Sequence, residues 1–468
     1  MKSKWLSNRY SVSRGGLHSS PLFFQLPIRG AKGPEVSSCR SYAGITKIGK
    51  SKAKAMMDNK RTTNNFGLTV LLLSFSSTLF SGCSGLPERV PMNAELQEVA
   101  TIPGIPNARS WADTKPDDYE NWMSLSEQEI RDRYPETFGK PHNYLALSGG
   151  GAKGAFGAGL LNGWTAAGTR PEFTMVTGVS TGAILAPFAF LGSDYDHLIK
   201  KFYTTLSTDD LLAPRSKMAA ITKDAAMDST PMQSKLAIYI TDELVASIAA
   251  EYARGRELFI GTTNLDAGRS VNWNITAIAA SGDPNATQLI RDIILASASV
   301  PGVFPPVLFT VEADGQPYDE LHVDGGVSSN VFVYPIGLDW AAVLKKMDVN
   351  SRPNLYVLRN GYLQDSWKAV KRNTLSIAAY SVGTLLTYVG HGDFNRMYLQ
   401  AQRDGLNFNM IKIPTDFENT STEAFDSVWM AELYELGYEM AVNGIDWQKT
   451  PPGYDAGARH QRSESTRR

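Results

Sequence analysis

The stretch Thr174-Met-Val-Thr-Gly178-Val-Ser180-Thr-Gly182-Ala-Ile-Leu-Ala186 constrains this chain of 468 residues more than any other. An apolar run climbs to Gly178-Val-Ser180-Thr-Gly182, and small apolar residues suited to a helix follow. Gly-x-Ser-x-Gly between a strand and a helix is the pattern of a nucleophile elbow, in which a sharp turn exposes the serine hydroxyl. Glycines two residues to either side let the backbone pass close to itself while Ser180 takes a strained conformation. A tight strand-to-helix turn around a structural serine is the competing reading.

Upstream, Tyr144-Leu-Ala-Leu147 reads as a short buried strand entering Ser148-Gly149-Gly150-Gly151-Ala152-Lys153-Gly154 and then a helix reaching Trp164. A strand, a glycine-rich loop and a helix start hold anions, because unpaired amides converge there. A nucleotide phosphate does not fit. Gly149, Gly151 and Gly154 match Gly-x-Gly-x-x-Gly, but no acidic strand end follows at the right distance, and no Gly-Lys-Ser/Thr is present. The oxyanion of acyl transfer fits better, since a loop amide and the amide after the nucleophile together build such a hole.

Farther on, Glu320-Leu-His322-Val-Asp324-Gly325-Gly326 reads as a strand ending in a glycine turn. His322 and Asp324 are two apart and share a face of that strand. A carboxylate within reach of Ser180 takes its proton if burial raises its pKa; a histidine would be the usual base. Of six histidines, His142, His197, His322 and His391 fall in the folded region. His322 is read as a half-buried strand residue bonded locally, with a triad role as the alternative. His391 is read as a loop residue. For Asp324, a turn-capping carboxylate is the competing reading.

Taken in order, Gly149-Gly-Gly-Ala-Lys153-Gly154, Gly178-Val-Ser180-Thr-Gly182 and Asp324-Gly325-Gly326 resemble the three blocks of the patatin-like phospholipase family. Ala296-Ser-Ala-Ser-Val-Pro301-Gly-Val-Phe304-Pro-Pro306 resembles a fourth. The resemblance implies a three-layer α/β/α fold with a mostly parallel central sheet. It implies Ser180 as nucleophile, Asp324 as its dyad partner, and an oxyanion hole built from Gly149, Gly150, Gly151 and the Thr181 amide. Lys153, Gly154, Gly178, Gly182, Gly325 and Gly326 support these loops. The family commonly has Asp and Arg where this chain has Ser148 and Lys153. The substrate class it implies is a lipid or other acyl ester. No ligand cluster suggests a cofactor or metal.

Two cysteines, Cys39 and Cys83, exclude a disulfide framework and a cysteine-based metal site. The net charge of -1 hides an asymmetry: residues 1–61 carry thirteen Lys and Arg against Glu35 and Asp58, so the rest is acidic. An acidic body argues against nucleic acid and against a broad electrostatic grip on anionic lipid. Met56 to Arg61 and the apolar run Phe66 to Phe80, ending Ser81-Gly82-Cys83, have the layout of a signal peptide. Cysteine after small residues resembles a bacterial lipoprotein signal, with Cys83 lipidated. A membrane-anchored protein of the cell envelope, in the outer membrane, is therefore expected; a secreted or periplasmic protein is the alternative.

The expected organisation is a disordered or mis-annotated leader at 1–55, a signal peptide at 56–82, a tether and irregular arm at 83–142, an acyl hydrolase domain at 143–447 and a polar tail at 448–468. Within the arm, a helix from Ser124 to Tyr134 is expected, capped by Ser124 with Glu127 three residues on. Residues 233–254 read as helical, Asp266 and Arg269 as a turn set, and Trp367 to Phe394 as a long helix. On that helix Tyr380, Leu385, Leu386 and Tyr388 read as a packing face, with an acyl-binding wall as the alternative. The functional expectation is a serine acyl hydrolase acting on lipids, of phospholipase A or lysophospholipase type. Rival readings are a non-lipid esterase or thioesterase with a Ser-His-Asp triad, and an inactive lipid-binding protein of the envelope.

Overall fold

Alternation within the strands sets the architecture. In the strand Asn143–Leu147, Tyr144 and Ala146 enter one apolar core, while Leu145 and Leu147 enter another. A strand buried on both faces belongs between two layers of helix. A computed structural model describes residues 88–216, 223–362, 367, 369–421 and 423–454, and it has that arrangement. The expected signal peptide, its leader and Cys83 lie outside the described residues, as does the chain beyond 454.

The strands of the main sheet are β1 (Arg109–Trp111), β2 (Asn143–Leu147), β3 (Met175–Val179), β4 (Glu257–Asn264), β5 (Arg269–Asn274), β6 (Val307–Ala313), β7 (Gln316–Asp324), β8 (Asn354–Arg359) and β9 (Asn407–Lys412). Among the described residues these nine form one sheet, in the order β1-β5-β4-β3-β2-β8-β9, with β7 joined to β4 and β6 to β7. From β9 through β8, β2 and β3 to β4 all pairings are parallel. The strands β5, β1, β7 and β6 are antiparallel additions. The expected three-layer fold with a mostly parallel sheet is thus present.

The main helices are α1 (Tyr119–Ser124), α2 (Glu127–Arg133), α3 (Gly154–Ala166), α4 (Thr181–Leu191), α5 (Asp196–Thr205), α6 (Thr230–Tyr239), α7 (Asp242–Ala253), α8 (Ala286–Ser297), α9 (Thr374–Asp404) and α10 (Ser427–Val442). On one face α3 and α10 pack backbone against backbone. A Cβ at Gly159 would collide with the Tyr434 carbonyl, and one at Gly437 with the Phe156 carbonyl. Some of the glycines after the loop therefore serve helix packing. The opposite core takes Phe394, Met397 and Ala401 from the carboxyl half of α9.

Several expectations shift. Residues 88–142 are more than a tether: β1 extends the sheet by pairing with β5, and Arg109 reaches Glu320 on β7. The capping box of α2 is Ser126 with Glu129, two residues later than expected, and Ser124 ends α1 instead. Residues 233–254 are split between α6 and α7, with Thr241 capping the second. Asp266 and Arg269 do not pair with each other. Asp266 binds Arg89 and the Leu321 amide, while Arg269 binds Asp113 and Glu98. Gln448, expected in the polar tail, bridges to Met410, and Trp447 packs on Trp164.

Candidate active site

The turn after β3 holds Ser180 at φ 55° and ψ -123°, a left-handed conformation that costs about 1–3 kcal/mol for a residue with a side chain. The surroundings enforce it. A Cβ at Gly178 would overlap the Gly182 carbonyl oxygen, and one at Gly182 would overlap the Leu147 carbonyl oxygen. The Ser180 amide donates to Ser297 Oγ at 2.9 Å, and Ser297 Oγ donates to the Gly261 carbonyl at 2.7 Å. Ser297, at the end of α8, therefore pins the elbow to β4.

Strand register brings Asp324 to the same place. One edge of β4 pairs with β5 from Phe259 to Asn264. The other edge pairs with β3 as far as Val179↔Gly261 and then with β7, starting at Thr262↔Asp324. Ser180 leaves β3 where β7 ends in Asp324, so the two residues meet at this junction. Asp324 Oδ1 accepts the Gly326 amide at 2.7 Å. Oδ2 is buried and accepts no formed hydrogen bond, while the Ser180 hydroxyl lies near enough to draw the carboxylate's pKa down. Burial raises the Asp324 pKa from 3.8 to about 6, against the opposing pull of Ser180 and the Gly326 amide. A carboxylate so placed is a stronger base than one in water, and an oxygen without a donor is available for a proton.

The glycine loop lies across from it. The Gly149 amide donates to the Asn330 carbonyl at 3.0 Å, so it is spent on the fold rather than aimed at a substrate. This corrects its expected place in the oxyanion hole. Gly150 and Gly151 follow at the entry to a short 3₁₀ turn leading into α3, and Gly151 has φ 59°. Thr181 is the first residue of α4, where amides lack intrahelical partners and the helix dipole is positive. Ser148 and Asn360 tie the loop to β8: the Asn360 amide donates to Ser148 Oγ at 2.9 Å, and its side chain donates to the Ser148 carbonyl at 2.8 Å. Lys153 Nζ sits 5.8 Å from the centre of the Tyr362 ring.

The histidines are engaged elsewhere. Trp273 Nε1 donates to Thr262 Oγ1 at 2.8 Å, which leaves the threonine proton to His322 Nδ1, also at 2.8 Å. His322 Nε2 then donates to Glu320 Oε2 at 3.1 Å. Burial holds the His322 pKa below its ordinary value, so the ring is neutral. It is fully buried rather than half-buried, and with both nitrogens used it has no lone pair for Ser180. His142 is bonded to Tyr144 and the Thr137 carbonyl. His391 lies within α9 rather than in a loop, against Tyr388.

Sequence reading missed the supporting shell. Asp393 on α9 accepts the Asn330 amide, and Asn330 in turn accepts the Gly149 amide. Burial lifts Asp393 to about 6 in spite of Arg396 and the Asn330 and Val331 amides. Such contacts join residues far apart in the chain, and no local pattern announces them. A cavity of about 210 Å³ lies at the other end of the sheet, where Met175 and Glu257 begin β3 and β4; neither Ser180 nor Asp324 lines it. Ser180 and Asp324 lie instead at the carboxyl end of the parallel strand β3, the side of an open α/β sheet on which ligands bind.

An elbow between a parallel strand and a helix, on a sheet covered by helices on both faces, defines an α/β acyl hydrolase. Residues 145–336 match the patatin-like phospholipase family, so the chain carries a patatin-like phospholipase domain and is a lipid acyl hydrolase. Among solved structures, VipD from Legionella pneumophila is similar at 13% identity and a TM-score of 0.32, over 65% of this chain and 67% of that one. The type III effector protein ExoU is similar at 14% identity and a TM-score of 0.21, over 66% and 55% of the two chains. No curated protein sequence matches.

Proposed function

We propose that this enzyme cleaves carboxylic esters of phospholipids or lysophospholipids through a Ser180–Asp324 dyad and an acyl-enzyme. The observation that carries the reading is the buried Asp324 carboxylate, with Oδ2 lacking a donor, beside a serine held at positive φ. Ser180 Oγ attacks the acyl carbonyl carbon and gives its proton to Asp324 Oδ2. The carbonyl electron pair moves onto oxygen, where the amides of Gly150, Gly151 and Thr181 receive it. Collapse expels the alcohol, which takes the proton from Asp324. Water then attacks the ester of Ser180, passes a proton to Asp324, and the fatty acid leaves as Ser180 regains that proton.

The engaged nitrogens of His322 argue against a triad esterase, and the intact elbow argues against an inactive binding protein. Attachment to the cell envelope through Cys83 belongs to the same proposal, supported by the lipoprotein-like residues around it. The test is a panel of acyl esters of increasing chain length, phospholipids included, given to the wild type, Ser180→Ala and Asp324→Asn. Turnover by the wild type and loss in both variants is expected. Turnover that survives Ser180→Ala, or no turnover by any protein, rejects the reading.

A further inference from the structure

Helix α9 has two unlike halves. From Gly390 onward it is rooted in the second core through Phe394, Met397 and Ala401. From Thr374 to Val389 none of the residues whose exposure is described is buried, yet the segment has no charged side chain at all. A helix bathed in water normally turns charged residues outward, and an uncharged, apolar one normally lies in a core or against lipid. At roughly 100° per residue, Ile377, Tyr380, Leu385 and Tyr388 fall within an arc of about 140°. All four are exposed, Leu385 by 64% and Tyr388 by 67%. The packing face expected of these tyrosines and Leu385 is therefore not packed.

Leu386 points the other way, on the stripe that continues through Gly390 and Asp393. Its side chain adjoins Gly326, the second glycine after Asp324. One side of the helix thus touches the catalytic turn while the other is bare. The charge pattern is as lopsided as the exposure. Between Ser366 and Gly392 the chain holds Lys368, Lys371 and Arg372 and no acidic residue, although the chain beyond residue 61 is acidic overall. Lys371 and Arg372 are exposed just before the helix, and Trp367, preceding them, is 90% exposed. A bare apolar helix led in by basic residues and a tryptophan matches a surface with an apolar interior and anionic headgroups. No described helix is long and apolar enough to cross a membrane, so this one would lie along the surface.

We infer that the amino-terminal half of α9 docks onto an anionic lipid bilayer and sets the Ser180–Asp324 site against it. The lipid-hydrolase activity suggests the bilayer as occupant; the exposure and charge of the helix stand apart from it. The test uses the full chain with Cys83→Ser, so that no acyl anchor contributes, and compares it with Leu385→Glu/Tyr388→Glu and Lys371→Glu/Arg372→Glu in that background. Binding is read by co-sedimentation with vesicles of phosphatidylcholine containing a minor share of phosphatidylglycerol, and by hydrolysis of their lipid. Turnover of soluble p-nitrophenyl butyrate and light-scattering mass are read beside it.

The apolar pair is expected to weaken vesicle binding and vesicle hydrolysis by about tenfold or more. The basic pair is expected to weaken both only when phosphatidylglycerol is present. Soluble-ester turnover stays at the starting level in both, and Leu385→Asn/Tyr388→Asn provides a milder version if the glutamates disturb folding. Unchanged vesicle binding in the apolar variants overturns the inference. So does an equal loss of soluble-ester turnover, which would place the effect inside the site. A dimer that these changes disperse, with no vesicle binding, assigns the face to a second copy instead and also overturns it. Absence of soluble-ester turnover in the starting protein would count against the hydrolase reading, while leaving the binding result to stand by itself.

Discussion

Strand β7 carries two buried carboxylates four residues apart, and they are treated in opposite ways. Glu320 faces Arg109 and His322; burial works to raise its pKa, but those partners outweigh burial and hold it at about 2. Asp324, at the strand end, has the Gly326 amide on one oxygen and no formed bond on the other, and burial lifts it to about 6. The difference is one of partners rather than depth, since both side chains are almost wholly inaccessible. A carboxylate locked to an arginine holds the fold together. One left short of donors retains the capacity to take a proton.

The largest effect that tests this contrast is Asp324→Asn, which is expected to lower kcat/KM on a soluble ester by about 10³-fold or more, with the protein still folded. The same change in Glu320 is expected to act on stability. Glu320→Gln leaves the buried Arg109 charge without its counter-ion and should destabilise the fold by about 3–5 kcal/mol in denaturant titrations, while turnover per folded molecule changes little. If the two variants exchanged phenotypes, the contrast would be broken.

The pH dependences sharpen it. Asp324 must be ionised to act, so kcat/KM should fall about tenfold per unit below about pH 6 and level off above it. Stability runs the other way for this group. Its folded pKa lies above the ordinary 3.8, so its contribution is full below about pH 4 and is lost as pH rises through about 6, amounting to about 3 kcal/mol. Asp324→Asn should therefore unfold at a higher temperature than the wild type at pH 7 and lose that advantage near pH 4. Glu320 has the opposite sign: its contribution is present above pH 4.5 and is lost as pH falls through about 2. The smallest expected effect is His322→Gln, which should change turnover per folded molecule by less than about threefold, measured alongside thermal stability. A loss as large as that of Asp324→Asn would restore a histidine-based triad.

Much of this contrast was legible in the sequence, though not evenly. Ser180 and Asp324 stand in local patterns, because an elbow and a strand-end glycine turn are written in consecutive residues. The two-residue spacing also put His322 on the face of Asp324. It could not tell that Thr262 and Glu320 would occupy both ring nitrogens, because those contacts depend on how β4 and β7 pair. The Arg109 partner of Glu320 was hidden for a similar reason: the arm that carries it has little period of its own and gains a strand only by pairing with β5. Gly149 looked like a donor to substrate until Asn330 took its amide. In α9, an apolar run read as packing because composition reports what a face prefers, not what covers it.

Activation of Ser180 by Asp324 is the step on which turnover depends. Its most direct test is the rate at which a fluorophosphonate acylation mimic labels Ser180, followed by mass spectrometry as a function of pH in the wild type, Asp324→Asn and His322→Gln. The predicted result is a wild-type rate that rises to a plateau above about pH 6, a similar profile in His322→Gln, and slow labelling in Asp324→Asn without that rise. Labelling of Asp324→Asn at the wild-type rate, or its loss in folded His322→Gln, would contradict the account.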